Sequence, residues 1–281
     1  MNFSIVIPAK NESLGLNKLL PELANVGADE IILVDDGSTD DTADIVKSFG
    51  CTVISHPYSK GNGASIKTGV RAAKSKYILF MDADGQHDPS YISKLLEKLS
   101  QGYDMVVGSR SSKTSQASIA RGFGNGLYNW FASWMVGQKI HDLTSGFRVT
   151  EREKFLQFIN LLPNGFSYPT TITMAFFRAG YSVGYEPIHM PSRLGKSHLK
   201  LWKDGIKFLM IIFKIGTLYS PLKIFLPIAA THFLLGFGYY AYTFITTARF
   251  TNMSALLLTS AVVIFLIGLV SEQISNLTYK P

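Results

Sequence analysis

Along the first 110 residues, short apolar runs alternate with segments whose apolar positions return every three to four residues. The runs NFSIVIPA, EIILVDD, CTVISH, YILFMDAD and YDMVVGSR read as strands. The segments between them, Glu12 to Val26, Thr39 to Phe49, Asn62 to Lys74 and Pro89 to Ser100, read as helices. Strands that are apolar nearly throughout, each followed by a helix, predict an α/β fold in which helices cover both faces of a mainly parallel central sheet.

After Ser220 the pattern changes. Leu222 to Thr247 carries one lysine and no acid, and it is long enough to cross roughly 30 Å of hydrocarbon as a helix. Met253 to Val270 is a second such stretch, separated from the first by a short loop. The two predict a transmembrane hairpin. Arg193, Lys196, Lys200, Lys203, Lys207 and Lys214 precede the first span and Lys223 stands at its start, whereas the connecting loop holds only Arg249. This asymmetry predicts a multi-pass protein of the cytoplasmic membrane, with both chain ends and the globular part on the cytoplasmic side. Between the globular part and the hairpin, Lys200, Lys203, Lys207 and Lys214 fall in one arc of about 60° on a helical wheel, opposite Trp202, Ile206, Leu209 and Phe213. That is the pattern of a helix lying in the membrane interface, lysines toward lipid phosphates. Packing of the same helix on the globular domain is the alternative. The expected organisation is therefore a catalytic domain over residues 1–198, an amphipathic interfacial helix over 199–220, and a hairpin with a short tail over 221–281.

Composition adds bounds. A chain of 281 residues can bury one substantial core with an appendage, not two catalytic domains. The net charge of +7 suits an anionic membrane, a phosphate-bearing substrate or nucleic acid. The lysines stand beside the spans rather than on an aromatic-studded sheet, which argues against nucleic acid. One cysteine, Cys51, excludes an internal disulfide framework and any cysteine-cluster zinc site. The start MNFSIVIPAK lacks a signal peptide's basic and apolar regions, so the globular part is expected to stay inside the cell.

The chemistry gathers at strand ends. In parallel sheets ligands bind outside the carboxyl ends of the strands. Those ends here read PAKNE, VDDGSTDD, MDADGQ and GSR, collecting Glu12, Asp35, Asp36, Asp82, Asp84 and Arg110 on one rim. Asp82 and Asp84 straddle Ala83 directly after an apolar run. Two carboxylates so spaced can share Mg²⁺ or Mn²⁺ while the ion keeps water or diphosphate oxygens as its other ligands. Asp35 and Asp36 suit a turn whose Ser38 or Thr39 caps the next helix, and either acid could also accept from a base N–H or a ribose hydroxyl. KGNGA, from Lys60, is a glycine-rich entry to a helix that could offer backbone N–H groups and a lysine to phosphate. Asp88, before Pro89, reads as a helix cap, and His87 and His141 as ordinary polar residues.

In this order PAKNE, VDDGSTDDT, KGNGAS, DADGQHDP, GSR, DLTSGFR and RLGKS resemble the inverting family 2 glycosyltransferases with a GT-A fold, in particular the dolichyl- and polyprenyl-phosphate hexose synthases. The likeness covers roughly residues 2 to 200. It implies that Pro8, Ala9, Lys10, Glu12, Asp35, Asp36, Lys60, Ala83 and Arg110 line the nucleotide-sugar site. Lys10 stands where relatives often carry an aromatic residue. Asp82, Asp84 and Gln86 are implied at the metal and diphosphate, with Asp84 and Arg193 in catalytic positions. For the acceptor phosphate the resemblance implies Arg121, Arg148, Arg193, Lys196 and Ser197; Arg121 and Arg148 could equally be structural. The implied reaction is metal-dependent transfer of a hexose, from GDP-mannose first and UDP-glucose second, to polyprenyl or dolichyl phosphate with inversion. A transferase acting on a sugar or protein hydroxyl, and a non-catalytic nucleotide-sugar-binding scaffold in the membrane, are the other readings. Oligomeric state stays open.

Overall fold

The computed structural model describes residues 1–110, 119–165, 167–189, 213 and 216–278, with the helix alone for 119–125. The chain divides into two compact units, Met1–Ser133 with Gln138–Ser197, and Trp134–Gly137 with His198–Pro281.

The first unit is built on a seven-stranded sheet in the order β3-β2-β1-β4-β6-β5-β7. Its strands are β1 (Phe3–Ala9), β2 (Glu30–Asp35), β3 (Thr52–Ser55), β4 (Tyr77–Phe80), β5 (Met105–Arg110), β6 (Arg148–Glu151) and β7 (Val183–Ile188). The helices of this unit are α1 (Ser13–Leu23), α2 (Thr42–Ser48), α3 (Asn62–Ala72), α4 (Ile92–Ser100), α5 (Ile119–Val136), α6 (Arg152–Leu156) and α7 (Tyr168–Arg178), the last turn of α5 belonging to the second unit. The first four strands are parallel, and the sheet reverses its direction of growth between β1 and β4. Crevices at such a reversal are where α/β sheets bind ligands. Ile5, Ile7, Leu33, Leu79 and Val106 are fully buried from the strands, and Leu16, Leu20, Leu23 and Leu95 pack on them from α1 and α4.

Two strands escape the sequence pattern. β6 runs antiparallel between β4 and β5, with Arg148 opposite both Phe80 and Val107. It is four residues long and begins with a buried arginine, so no apolar alternation marks it. β7 is an edge strand, VGYEPI, whose glycine and proline break the β signal that central strands show. The observed sheet is therefore mixed, with one antiparallel strand inside the mainly parallel frame.

In the second unit, α8 (Pro221–Thr247) and α9 (Asn252–Thr278) are both long and apolar enough to cross a membrane. Glu272 Oε2 accepts from Leu222 N at 3.2 Å and Ser275 Oγ donates to Leu218 O at 2.7 Å, tying the end of α9 to the start of α8. Lys223 Nζ donates to Trp134 O at 3.2 Å and Met135 O at 2.8 Å, the carbonyls of the last turn of α5, where a cation also meets the negative end of the helix. The expected interfacial helix over 199–220 falls almost wholly outside the described residues.

Candidate active site

The end of β4 delivers the acid pair. Phe80 closes the strand, and Met81–Asp84 continue along the rim, Met81 and Ala83 buried and Asp82 with 39% of its side chain exposed. Asp82 N donates to His87 Nδ1 at 3.0 Å, which assigns the proton of that ring to Nε2, 3.7 Å from Asp82 Oδ2. The imidazole is buried and stacked on Phe147 at 5.0 Å, so the turn after β4 is fixed from below. Gln86 N donates to Asp84 Oδ1 at 3.1 Å. Asp88 Oδ1 accepts from Ser90 N at 2.8 Å and caps the helical turn that opens at Pro89. Two glycines let neighbours close on the pair. A Cβ on Gly15, at the start of α1, would stand 2.3 Å from Ala83 O, and one on Gly146 would stand 2.9 Å from Asp82 Oδ2. Both positions admit no other residue without movement.

The β1–β2–β3 side is an inward-facing cradle. Asp36, buried just after β2, accepts from Lys60 N (2.8 Å), Gly61 N (2.8 Å) and Ser59 Oγ (2.7 Å), and its Oδ1 lies 2.8 Å from His56 Nδ1. Burial pushes this carboxyl up, but the bonds from His56, Lys60, Ser59 and Gly61 outweigh it and hold its pKa down at about 2. His56 passes the chain of contacts to Thr68 Oγ1 at 3.0 Å. All four acceptor positions of the carboxylate are thus taken by the chain itself, in the residue that the resemblance implies at the nucleotide. N–H groups of KGNGA are likewise engaged within the chain. Lys60 N and Gly61 N go to Asp36, while Gly63 N and Ala64 N go to Gly165 O (3.1 Å) and Asn164 O (2.9 Å). The Lys60 ammonium lies 5.7 Å from the centre of the exposed Tyr58 ring.

Around this cradle, Pro8 and Ala9 end β1, and Ala9 O accepts from Asp36 N at 2.8 Å. Asp35 Oδ1 accepts from Ser38 N at 2.9 Å, the expected turn. Asn11 holds the same turn, accepting from Thr39 N at 2.8 Å. Lys10 is exposed beside it, and Glu12 N donates to Thr42 Oγ1 at 3.0 Å. Asp40 rather than Thr39 sets the start of α2, accepting from Thr42 N at 3.1 Å and reaching across to Ser13 N at 3.3 Å.

On the β5–β6 side, Arg110 is clasped by a residue that sequence reasoning did not single out. Asp142 Oδ2 accepts from Arg110 Nε at 2.8 Å and Oδ1 from Nη2 at 3.0 Å, a bidentate pair, and Thr144 Oγ1 accepts from Nη2 as well. Burial pushes the Asp142 carboxyl up, and the Arg110 bonds and charge overcome this and hold it below the usual carboxylate range. Asp142 also accepts from Arg110 N (3.3 Å), Thr144 N (3.0 Å), Thr144 Oγ1 (3.2 Å) and Ser145 N (3.1 Å), so the DLTSG segment folds around its own first residue. An acid followed at once by Thr and Ser, on a chain segment returning to the sheet, is the signal that could have revealed it.

Arg148, expected at the acceptor phosphate, has no exposed surface. Its donors go to Ser145 O, Pro169 O and Thr173 Oγ1, so it lies beneath the site and cannot meet a lipid headgroup. Arg193, Lys196 and Ser197, and the side chain of Arg121, lie outside the described residues.

A seven-stranded mixed sheet with an acid pair after β4 and a basic clasp after β5 defines a GT-A fold. The Glycosyl transferase family 2 model matches residues 4–157, and the chain belongs to that family. Residues 220–277 match the GtrB C-terminal hairpin. The dolichyl-phosphate hexose transferase of Haloferax volcanii is 29% identical over 73% of this chain and 89% of its own length. An undecaprenyl-phosphate 4-deoxy-4-formamido-L-arabinose transferase of Pseudomonas paraeruginosa is 33% identical over 59% of this chain and 55% of its own. An uncharacterized protein of Methanocaldococcus jannaschii is 35% identical, and there the match spans 64% of the relative's length. Among solved structures, glucosyl-3-phosphoglycerate synthase of Mycobacterium tuberculosis, crystallised with Mn²⁺, uridine diphosphate and glucosyl-3-phosphoglycerate, superposes with a TM-score of 0.60. It is 20% identical, over 76% of this chain and 78% of that one.

Proposed function

We propose that the protein transfers a hexose from a nucleoside diphosphate sugar to a polyprenyl or dolichyl phosphate at the cytoplasmic face of the membrane, with inversion at the anomeric carbon. One observation carries this reading: a single chain joins an Asp82–Asp84 pair on the rim of a GT-A sheet to a hairpin of the GtrB type. The dolichyl- and undecaprenyl-phosphate transferases among its relatives support the acceptor class. For the donor, the motif resemblance favours GDP-mannose, with UDP-glucose second.

Asp82 and Asp84 offer hard oxygen donors suited to Mg²⁺ or Mn²⁺. Among the described residues no cluster of three or more His, Cys, Asp or Glu stands ready to cage an ion. The donor set therefore fits an ion that shares its shell with the nucleotide's diphosphate, as Mg²⁺ commonly does. When bound, such an ion neutralises charge on the departing diphosphate. The protein's own part is to orient. Gln86 N donates to Asp84, His87 accepts from the Asp82 backbone N–H, Gly146 lies against the Asp82 carboxylate, and Arg110, fixed by Asp142, is close enough to feel the charge of Asp82. A phosphate monoester acceptor is already largely ionised near neutral pH, so its attack needs positioning more than a general base. Incubating the membrane-bound protein with labelled nucleotide sugars and polyprenyl phosphate, then extracting into organic solvent, tests the proposal. Label in the organic phase supports it, and label confined to water-soluble glycosides contradicts it.

A further inference from the structure

Arg148 heads the largest fully buried side chains of the protein, and no ion pair includes it among the described residues. Burying a guanidinium without a carboxylate is costly, and an apolar side chain of similar volume would fill the space more cheaply. What the cation does instead is hold one loop. Nε donates to Ser145 O at 3.2 Å and Nη2 donates to the same oxygen, so two prongs of the fork grip a single carbonyl. Nη1 anchors the other end to α7 through Pro169 O and Thr173 Oγ1, both at 3.0 Å, and the guanidinium stands 5.9 Å from the Tyr168 ring. Ser145 Oγ is buried without a partner, so the serine's own side chain does not fix the loop.

The gripped carbonyl sits between the two halves of the site. On one side of it, Ser145 N and Thr144 N are bound by Asp142, which clasps Arg110. On the other, Gly146 abuts the Asp82 carboxylate, and Tyr168 Oη donates to Gly146 O at 3.5 Å. Thr170 Oγ1, also from α7, reaches Leu143 O at 3.4 Å. The loop that carries both contacts is thus suspended from α7, and Arg148 is the charged side chain that ties it there.

We propose that Arg148 is a positioning residue. By fixing the Ser145 carbonyl it sets how closely Gly146 approaches Asp82 and where Asp142 holds Arg110, and so it governs metal–diphosphate binding from beneath the site without touching a ligand. This deepens the transferase reading and rests on it for the identity of the ligand.

Mn²⁺ binding to the full-length protein in detergent with UDP or GDP, measured by electron paramagnetic resonance, tests the tether independently of turnover. Arg148→Lys keeps the charge but cannot present two parallel donors to one carbonyl. It is expected to weaken Mn²⁺ binding roughly tenfold, the scale found when outer-shell partners of metal ligands are lost. Val46→Ala, a cavity made in the core at α2, should lower the melting temperature and leave Mn²⁺ binding as in the wild type. Gly146→Ala reaches the same contact from the Asp82 side without disturbing the buried charge, and should weaken Mn²⁺ binding as well. If Arg148→Lys does not fold, Gly146→Ala together with Tyr168→Phe, which loses the contact to Gly146 O, decides the matter. Wild-type Mn²⁺ affinity in Arg148→Lys, or in both substitutes, overturns the proposal. So does an equal loss in Val46→Ala. Absence of sugar transfer by a wild-type protein that binds Mn²⁺ and nucleotide overturns the transferase reading and leaves this measurement intact.

Discussion

Asp36→Asn separates a cradle from a ligand contact. The carboxylate accepts four hydrogen bonds from His56, Ser59, Lys60 and Gly61, two at each oxygen. An amide keeps the shape but turns one of those oxygens into an NH₂ group that faces two donors. Hydrogen bonds to a charged group contribute about 1.5–3 kcal/mol each, so losing two of the four should cost about 3 kcal/mol or more. For a unit of this size that is a fall in melting temperature of about 6–12 °C. The same charge leaves a signature in pH. Its pKa is lowered from 3.8 to about 2 in the folded protein, so its contribution is complete above the unfolded value and disappears as pH falls from about 4 toward 2. That amounts to about 2 kcal/mol of acid sensitivity that Asp36→Asn should lack. Calorimetry on the detergent-solubilised protein measures the stability, and hydrogen exchange at the amides of Lys60 and Gly61 reports the cradle directly. Both amides should exchange much faster in the variant. If exchange and melting temperature stay unchanged while nucleotide affinity alone collapses, the carboxylate faces the ligand and the cradle argument is wrong.

Asp142→Asn should release the Arg110 fork. We expect a stability loss of about 2 kcal/mol, moderated by the exposure of Arg110, and a fall in turnover of at least tenfold in an organic-extraction assay. Glycine to alanine inside a helix normally stabilises by up to about 1 kcal/mol. Gly15→Ala should do the opposite by about 2 kcal/mol on thermal unfolding, because the new Cβ would meet Ala83 O. Leu234→Arg, at the centre of α8 and 67% exposed, should weaken membrane insertion by about 3 kcal/mol and lower the fraction resisting carbonate extraction. An equally resistant Leu234→Arg protein would mean that α8 does not face lipid.

Where side-chain pattern follows backbone periodicity, the structure was legible. β1 to β5, α1 to α4, the two apolar helices and the Asp88 cap all stand where the alternation and the Asp-Pro step place them. β6 carries no strand signal because it is four residues long and opens on a buried arginine, which a hydrophobic pattern counts as surface. The polar residues of the rim were legible as a group and not as individuals. Asp35 and Asp36 are adjacent acids of one motif, yet one makes a turn and the other vanishes under a loop more than twenty residues further on. Only the fold decides which way a strand-end carboxylate points. Likewise Arg110 and Arg148 both look like phosphate ligands in sequence, and the difference lies in Asp142 and in the cover of α7.

The central claim is tested most directly by sugar transfer in membranes containing the wild-type protein or Asp84→Asn, supplied with labelled GDP-mannose or UDP-glucose, undecaprenyl phosphate and Mn²⁺. The account predicts that the wild type moves label into the organic phase from one of these donors. It also predicts that chelation abolishes the transfer, and that Asp84→Asn, folded and present in the membrane at wild-type level, does not perform it. Full transfer by Asp84→Asn, or wild-type transfer that is indifferent to chelation, would contradict it.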